Sequence, residues 1–295
     1  MAGRPYAGAV SLLRQVDDSK LVAPTVVVAF DAWVDAGSAS TAAVGVLADE
    51  DAPLVAEFAT DLLYDYRARR PTLEIIDGRP AHLAWPTLTI RRSPLAERDV
   101  LIFSGPEPDF RWRELADDVV AFARSIEVAQ WISLGAIPAA VPHTRPVSIL
   151  GTESSPGLLR GDVQPGPSGL LRVPSAAISM LDVAVAQAGI PAVGYYAQIP
   201  HYISGEYAPA AIALLEALGR HLDADVDAAE LRSEAEQLRT RLDTATALDE
   251  KTRAYVERLE QMVDEARLPA GDELISEIER FLREQGNEPG HGQIH

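Results

Sequence analysis

Cysteine is missing from the chain. Its absence excludes disulfides, thiolate metal sites and a cysteine nucleophile, and it fits a reducing, cytoplasmic setting. Lysine is almost missing too: Lys20 and Lys251 are the only two. Positive charge as a whole is in deficit, with 26 Lys and Arg against 44 Asp and Glu and a formal net charge of −18. So acidic a chain repels phosphate backbones and anionic lipid, so neither nucleic acid nor membrane is expected as a partner. Long apolar runs are also lacking. None approaches the ~20 residues that span a bilayer, and the opening Met-Ala-Gly-Arg-Pro-Tyr contains no signal-peptide core.

The short catalytic signatures are absent as well. No Gly-x-Gly-x-x-Gly, Walker loop or Gly-x-Ser-x-Gly elbow occurs, and no His-x₃-His or His-Glu-x-x-His supplies a close metal-ligand pair. No catalytic residue, metal or cofactor is therefore expected.

What is present is an ordinary globular mixture, 47% hydrophobic and 24% charged over 295 residues, enough for a sizeable core. Thr25–Phe30 is a β-branched run of the kind buried on both faces of a sheet, and a glycine turn and a small-residue helix over 38–47 follow it. Val100–Phe103 repeats the plan and leads to a helix over about 110–127. In it Leu115, Val119, Phe122 and Ile126 form one apolar stripe. Further strands are expected over 130–134, 147–150 and 190–199, with helices over 175–188 and 208–222. Thr72–Ile76 and Thr87–Ile90 suggest a hairpin inserted in the sheet, turning at Arg79-Pro80. Strands alternating with helices predict a mostly parallel sheet covered on both faces over residues 1–222.

The composition changes at Asp223. From there to Gln285 acids outnumber bases 18 to 9 and no strand-like run occurs. Seams at Leu231, Ala235, Leu238, Leu242 and Ala245, and at Tyr255, Leu259, Met262 and Ala266, predict helices. Asp272 would cap a third, carrying Leu274, Ile278 and Phe281. Residues 223–285 thus read as a small acidic all-α arm, its charge a solvated face or a docking surface, and 286–295 as a disordered tail.

Five constellations carry possible chemistry. In Asp31-Ala-Trp-Val-Asp-Ala-Gly37 an aspartate caps the helix that follows, while Trp33 sits where α/β sheets form their crevice. Tyr64–Pro71 concentrates Tyr66, Arg67 and Arg70 in an acidic chain, as local charge balance or as a site for an acidic partner. In Gly105-Pro-Glu-Pro-Asp-Phe-Arg-Trp112, Glu107 reads as a base, a metal ligand or, by default, the ion-pair partner of Arg111, with Trp112 expected in the core. Two Pro-His pairs, at His143 and His201, read as rigid corners whose imidazoles find hydrogen bonds or line a cleft.

Taken in order, Phe30–Gly37, Tyr66–Pro71, Gly105–Trp112, Val141-Pro-His-Thr-Arg-Pro146 and Ile199-Pro-His-Tyr202 resemble the proteasome assembly chaperone 2 family, bacterial branch. The resemblance implies a three-layer α/β/α domain of nucleoside phosphorylase/hydrolase-like type that self-associates, here with a C-terminal helical arm. It also implies a non-enzymatic, chaperone-like role, with proteasome subunits as partners. Its relatives dock through a hydrophobic-Tyr-any tail, whereas this chain ends Gly292-Gln-Ile-His295. A competing reading is a small-molecule enzyme or binder of the phosphorylase/hydrolase type. It would gather Asp31, Trp33, Asp35, Tyr66, Arg67, Arg70, Glu107, Arg111, His143, Arg145 and His201 at the C-terminal edge of the sheet.

Overall fold

The computed structural model describes residues 11–17, 19–31, 33–95, 99–161, 163–167 and 169–267. In chain order the elements begin with β1 (Leu13–Gln15), β2 (Thr25–Asp31), α1 (Ala39–Leu47), β3 (Leu54–Phe58) and a one-turn α2 (Thr60–Leu63). Then come β4 (Thr72–Ile76), β5 (Arg79–Ala84), β6 (Thr89–Ser93), β7 (Val100–Pro106), α3 (Trp112–Ser125) and β8 (Gln130–Ala139). The remainder is β9 (Ile149–Glu153), β10 (Gln164–Pro165), α4 (Ala177–Gln187), β11 (Ala192–Pro200), α5 (Ala208–Leu222), α6 (Ala229–Leu248) and α7 (Glu250–Arg267).

The main sheet runs in the order β1-β3-β6-β7-β2-β8-β11-β9-β10. Its centre, β7-β2-β8-β11, is parallel, and β3, β6 and β9 join its flanks in antiparallel pairs. The central strands are apolar on both sides because both sides are covered. On one face Val26, Val28, Phe103 and Trp131 pack with Leu115, Val119 and Phe122 of α3 and Leu181 and Val185 of α4. On the other, Val27, Ile132, Leu134 and Tyr195 pack with Ala39 and Ala43 of α1 and Ala211, Leu214 and Leu218 of α5. Each fully buried Leu, Val or Phe contributes about 1.5–3 kcal/mol of hydrophobic stabilisation. The alanines of α1 and α5 let these two helices approach closely. The architecture is the expected three-layer α/β/α sandwich.

β8 runs to Ala139, four residues past the glycine that follows the strand expected over 130–134. A Cβ on Gly135 would lie 2.7 Å from Cδ1 of Tyr196, and one on Gly194 2.6 Å from the same ring. These glycines leave room for a tyrosine ring lying across the strands and do not mark turns. The fourth expected strand is shifted from 147–150 to Ile149–Glu153.

The expected hairpin needs correction. Thr72–Ile76 pairs with Arg79–Ala84, turning at Asp77-Gly78, both at positive φ, in a two-stranded sheet of its own. Residues 89–93 instead form β6, between β3 and β7 in the main sheet. Asp-Gly is the stronger turn signal, because both residues accept the left-handed conformation that a tight hairpin requires.

The chain divides into two compact units, residues 1–243 and 244–295. The composition shifts at Asp223, whereas the first unit continues into α6, where Leu231 is buried and Ala235, Leu238 and Leu242 pack against the α1/α5 core. In the second unit Asp249 caps α7: it accepts the Thr252 hydroxyl and, at 3.0 Å, the Thr252 amide, and these two bonds, the hydroxyl's first, hold its carboxyl below the usual range. Arg258 lies 5.1 Å over the ring of Tyr255, and Val256 and Leu259 are buried. The helix expected from Asp272 and the tail after 286 lie outside the described residues. Among the described residues, no helix is long and apolar enough to cross a membrane.

Candidate functional site

Parallel pairing of β2 with β7 places Asp31 opposite Pro106, so the two acidic loops leave the same edge of the sheet. The Glu107 amide donates to the Asp31 carbonyl at 3.2 Å. The Asp31 carboxylate pairs with Arg69 at 3.0 Å. Arg67 and Arg70, the arginines singled out from the sequence, are exposed. The reason is local: the amides of Ala68 and Arg69 both donate to the Asp65 carbonyl, a tight turn that returns Arg69 toward the sheet. Its guanidinium lies 6.0 Å from the Tyr64 ring centre, while the Tyr64 hydroxyl donates to the Pro106 carbonyl at 2.7 Å. Burial raises the Tyr64 hydroxyl above its usual pKa.

Glu107 does not pair with Arg111. Its Oε1 accepts the Ala177 amide at 2.6 Å, joining the first turn of α4 to the β7 loop. Arg111, the residue before α3, bonds Glu114 in its first turn at 3.1 Å. Trp112, expected in the core, is half-buried because α3 begins there, and its Nε1 donates to the Pro108 carbonyl at 2.6 Å. Tyr66 donates to Asp61 at 2.7 Å and packs edge-on against Trp85. Trp33 is 65% exposed.

Of the two aspartates that the sequence offers as a cap, Asp31 and Asp35, it is Asp35 that takes the role. Its carboxylate accepts from the Ser40 amide and hydroxyl, each at 2.7 Å, and from the Thr41 hydroxyl at 2.6 Å. The Pro-His corners converge on one ring, Tyr202. His143 is buried, its Nδ1 lies 2.8 Å from the Tyr202 hydroxyl, and its Nε2 lies 3.3 Å from Asp243, which also accepts from Arg239. His201 is exposed and returns to the Ala139 carbonyl through both its amide and Nδ1. An open cleft of about 830 Å³ lies between residues 143–147, α5 and α6. Of the eleven residues singled out from the sequence, only His143 and Arg145 line it, with Tyr207, Glu216, Arg239 and Leu242. The others are distributed along the sheet edge in caps, turns and pairs. Among the described residues, no group of three potential ligands could hold a metal ion.

Two polar centres escape a reading of the sequence. Asp182 of α4 meets Ser133 and Trp131 of β8 and Tyr196 of β11: the indole Nε1 donates to it at 3.0 Å, the Tyr196 hydroxyl at 3.3 Å, and Ser133 also donates. Burial pushes its carboxyl up to about 6, against the opposing pull of these three donors. At the other end of the strands, His221 lies 2.7 Å from the Tyr195 hydroxyl and 3.1 Å from Gln130, whose amide nitrogen donates to Thr25. Burial, and then Arg160, lower His221 to about 4. The one available clue was a carboxylate flanked by the apolar Leu181 and Val185 on a core-facing helix.

Opposite pH dependences follow. Native Asp182 keeps its proton to about pH 6, whereas the unfolded group releases it near 3.8, so this stabilisation is lost as pH rises through 6. Native His221 stays neutral down to about pH 4, whereas the unfolded ring protonates near 6.5, so its stabilisation is lost as pH falls through that window. In urea titrations, Asp182→Asn is expected to leave stability rising from pH 4 to 6.5, and His221→Asn to leave it falling from pH 4 to 6.

Comparison with known proteins agrees with this frame. The family model described as the PAC2 family matches residues 29–246. The proteasome-assembly chaperone homologue of Mycobacterium tuberculosis is 34% identical; the match covers 79% of this chain and 99% of that one, with a TM-score of 0.71. A PAC2 family protein from Streptomyces avermitilis is 32% identical, with the same coverage and TM-score. A protein of unknown function from Corynebacterium glutamicum is 30% identical over 86% of this chain and 97% of its own, with a TM-score of 0.80. No curated protein matches in sequence. The chain belongs to the PAC2 family.

Proposed function

We propose that this chain is a non-enzymatic, self-associating, chaperone-like scaffold whose partners are proteasome subunits. One observation carries the reading: at the sheet edge Asp31, Asp35 and Glu107 hold Arg69 and the starts of α1 and α4, and among the described residues no acid, base and nucleophile converge there. The proteasome-assembly chaperone homologue, 34% identical, supports the direction of the assignment. The acidic helices after Asp223 supply a charged surface for partner contact. Mixing the purified chain with separately purified proteasome α subunits tests the reading. A complex of fixed stoichiometry on size exclusion, with faster core-particle assembly, is the expected result. No complex at tens of micromolar and an unchanged assembly rate would overturn it. A second reading rests on the cleft at His143 and Arg145, which has the volume of a small-molecule site.

A further inference from the structure

Asp182 is a carboxylate with hydrogen bonds but no counter-charge. Its donors, Trp131, Ser133 and Tyr196, are all neutral, and among the described residues no cation pairs with it. Burial raises its carboxyl to about 6, so at neutral pH the group is ionised in surroundings that penalise its charge. Its two oxygens are unequally satisfied. Oδ1 accepts from both the Trp131 indole and Ser133, whereas Oδ2 accepts from the Tyr196 hydroxyl alone, at 3.3 Å. A carboxylate oxygen has two lone pairs, so Oδ2 keeps one for a further donor.

A pocket lies beside it. Asp182 is half-buried and lines an open hollow of about 300 Å³ between α4 and strands β9 and β11. Glu153 of β9 adds a second carboxylate to the lining, held below the usual range chiefly by the Leu159 amide, which donates to it at 3.1 Å. Thr152, Ser154, Ser179 and Tyr196 bring hydroxyls, and among the described residues no arginine, lysine or histidine lines the wall. The rest of the lining is apolar and includes Val183, which is 56% exposed.

This lining selects its occupant. A cationic head on an apolar stem would donate to Oδ2, compensate the buried charge and lay its stem on Val183. Arginine and lysine side chains have that form, and an arginine seated in a pocket is a recurrent anchor of protein interfaces. The hollow is open and stands at the bottom of the range of small-molecule sites, about 300–1,000 Å³, which fits a side chain entering from a facing surface. A net charge of −18 also draws basic surfaces toward the chain. Resting on the protein-contact reading proposed above, we infer that this pocket anchors a basic side chain of a protein partner, an arginine by preference, with Asp182 as its counter-charge.

Titration of the full chain with Nα-acetyl-arginine methylamide tests this. The reporter is the indole N–H resonance of Trp131, because that group donates to Asp182. The expected result is a saturable shift at millimolar probe, and binding about tenfold weaker or more for the citrulline analogue, which keeps the shape and loses the charge. Asp182→Asn removes the counter-charge, and Val183→Arg sets a competing cation beside the pocket; each should weaken probe binding about tenfold or more. Val183 is exposed, so its variant keeps the test decisive if Asp182→Asn fails to fold. No saturable shift, or an equal one with citrulline, would overturn the inference and leave the protein-contact reading to the mixing experiment with α subunits. Probe binding without any complex in that experiment would overturn the proteasome reading and leave the pocket standing as a site for basic side chains.

Discussion

Trp131→Ala is expected to lower the unfolding free energy by about 3–5 kcal/mol, the largest single-site effect in the fold. The ring is 1% exposed, projects from β8, the strand between β2 and β11, into the core under α3 and α4, and packs edge-on to Phe103, so its removal leaves a cavity that its neighbours cannot fill. Its Nε1 is also one of three donors to Asp182. Trp131→Phe separates the two roles. It keeps most of the ring and loses the donor, so about 1–2 kcal/mol should be lost. The Asp182 carboxyl should then titrate at higher pH than in the wild type, since that donor holds it down. Urea denaturation with a pH series reads both. A Trp131→Phe variant as unstable as Trp131→Ala would show that packing is not the dominant contribution.

Asp35→Ala is expected to cost about 2–4 kcal/mol. The carboxylate is 9% exposed and is the acceptor for Ser40, itself 0% exposed, so truncation strands a buried hydroxyl and an amide in the first turn of α1. Asp35→Asn keeps an oxygen acceptor and should lose about half as much. Equilibrium denaturation distinguishes this role from a catalytic one. A carboxylate used only for chemistry would leave the midpoint unchanged in both variants.

Much of this arrangement is legible in the sequence, and the places where it is not share a cause. Strands buried on both faces announce themselves, as Thr25–Asp31 does, and α5 begins and ends where the helix expected over 208–222 places it. The family motifs are legible as an ordered set, and a capping aspartate is legible at Asp31 or Asp35, though not which of the two. What escapes is set by partners distant in sequence. Gly135 reads as a strand end because Tyr196, which requires it, lies 61 residues on. Arg69, and not Arg67 or Arg70, meets Asp31 because a turn closed on Asp65 chooses among three arginines within four residues. Asp182 looks like an ordinary helix carboxylate until β8 and β11 place Ser133, Trp131 and Tyr196 around it. The short edge strands, such as Leu13–Gln15, have no pattern of their own and exist through their pairing.

The central claim is that the motif residues hold the fold and that the molecule works through protein contacts. Native mass spectrometry of the full chain, purified without a denaturing step, tests it most directly. The account predicts assemblies whose mass is that of whole chains alone. A constant small-molecule mass on every chain, lost in His143→Ala or Arg145→Ala variants that remain folded, would contradict it and make the cleft of about 830 Å³ the working site.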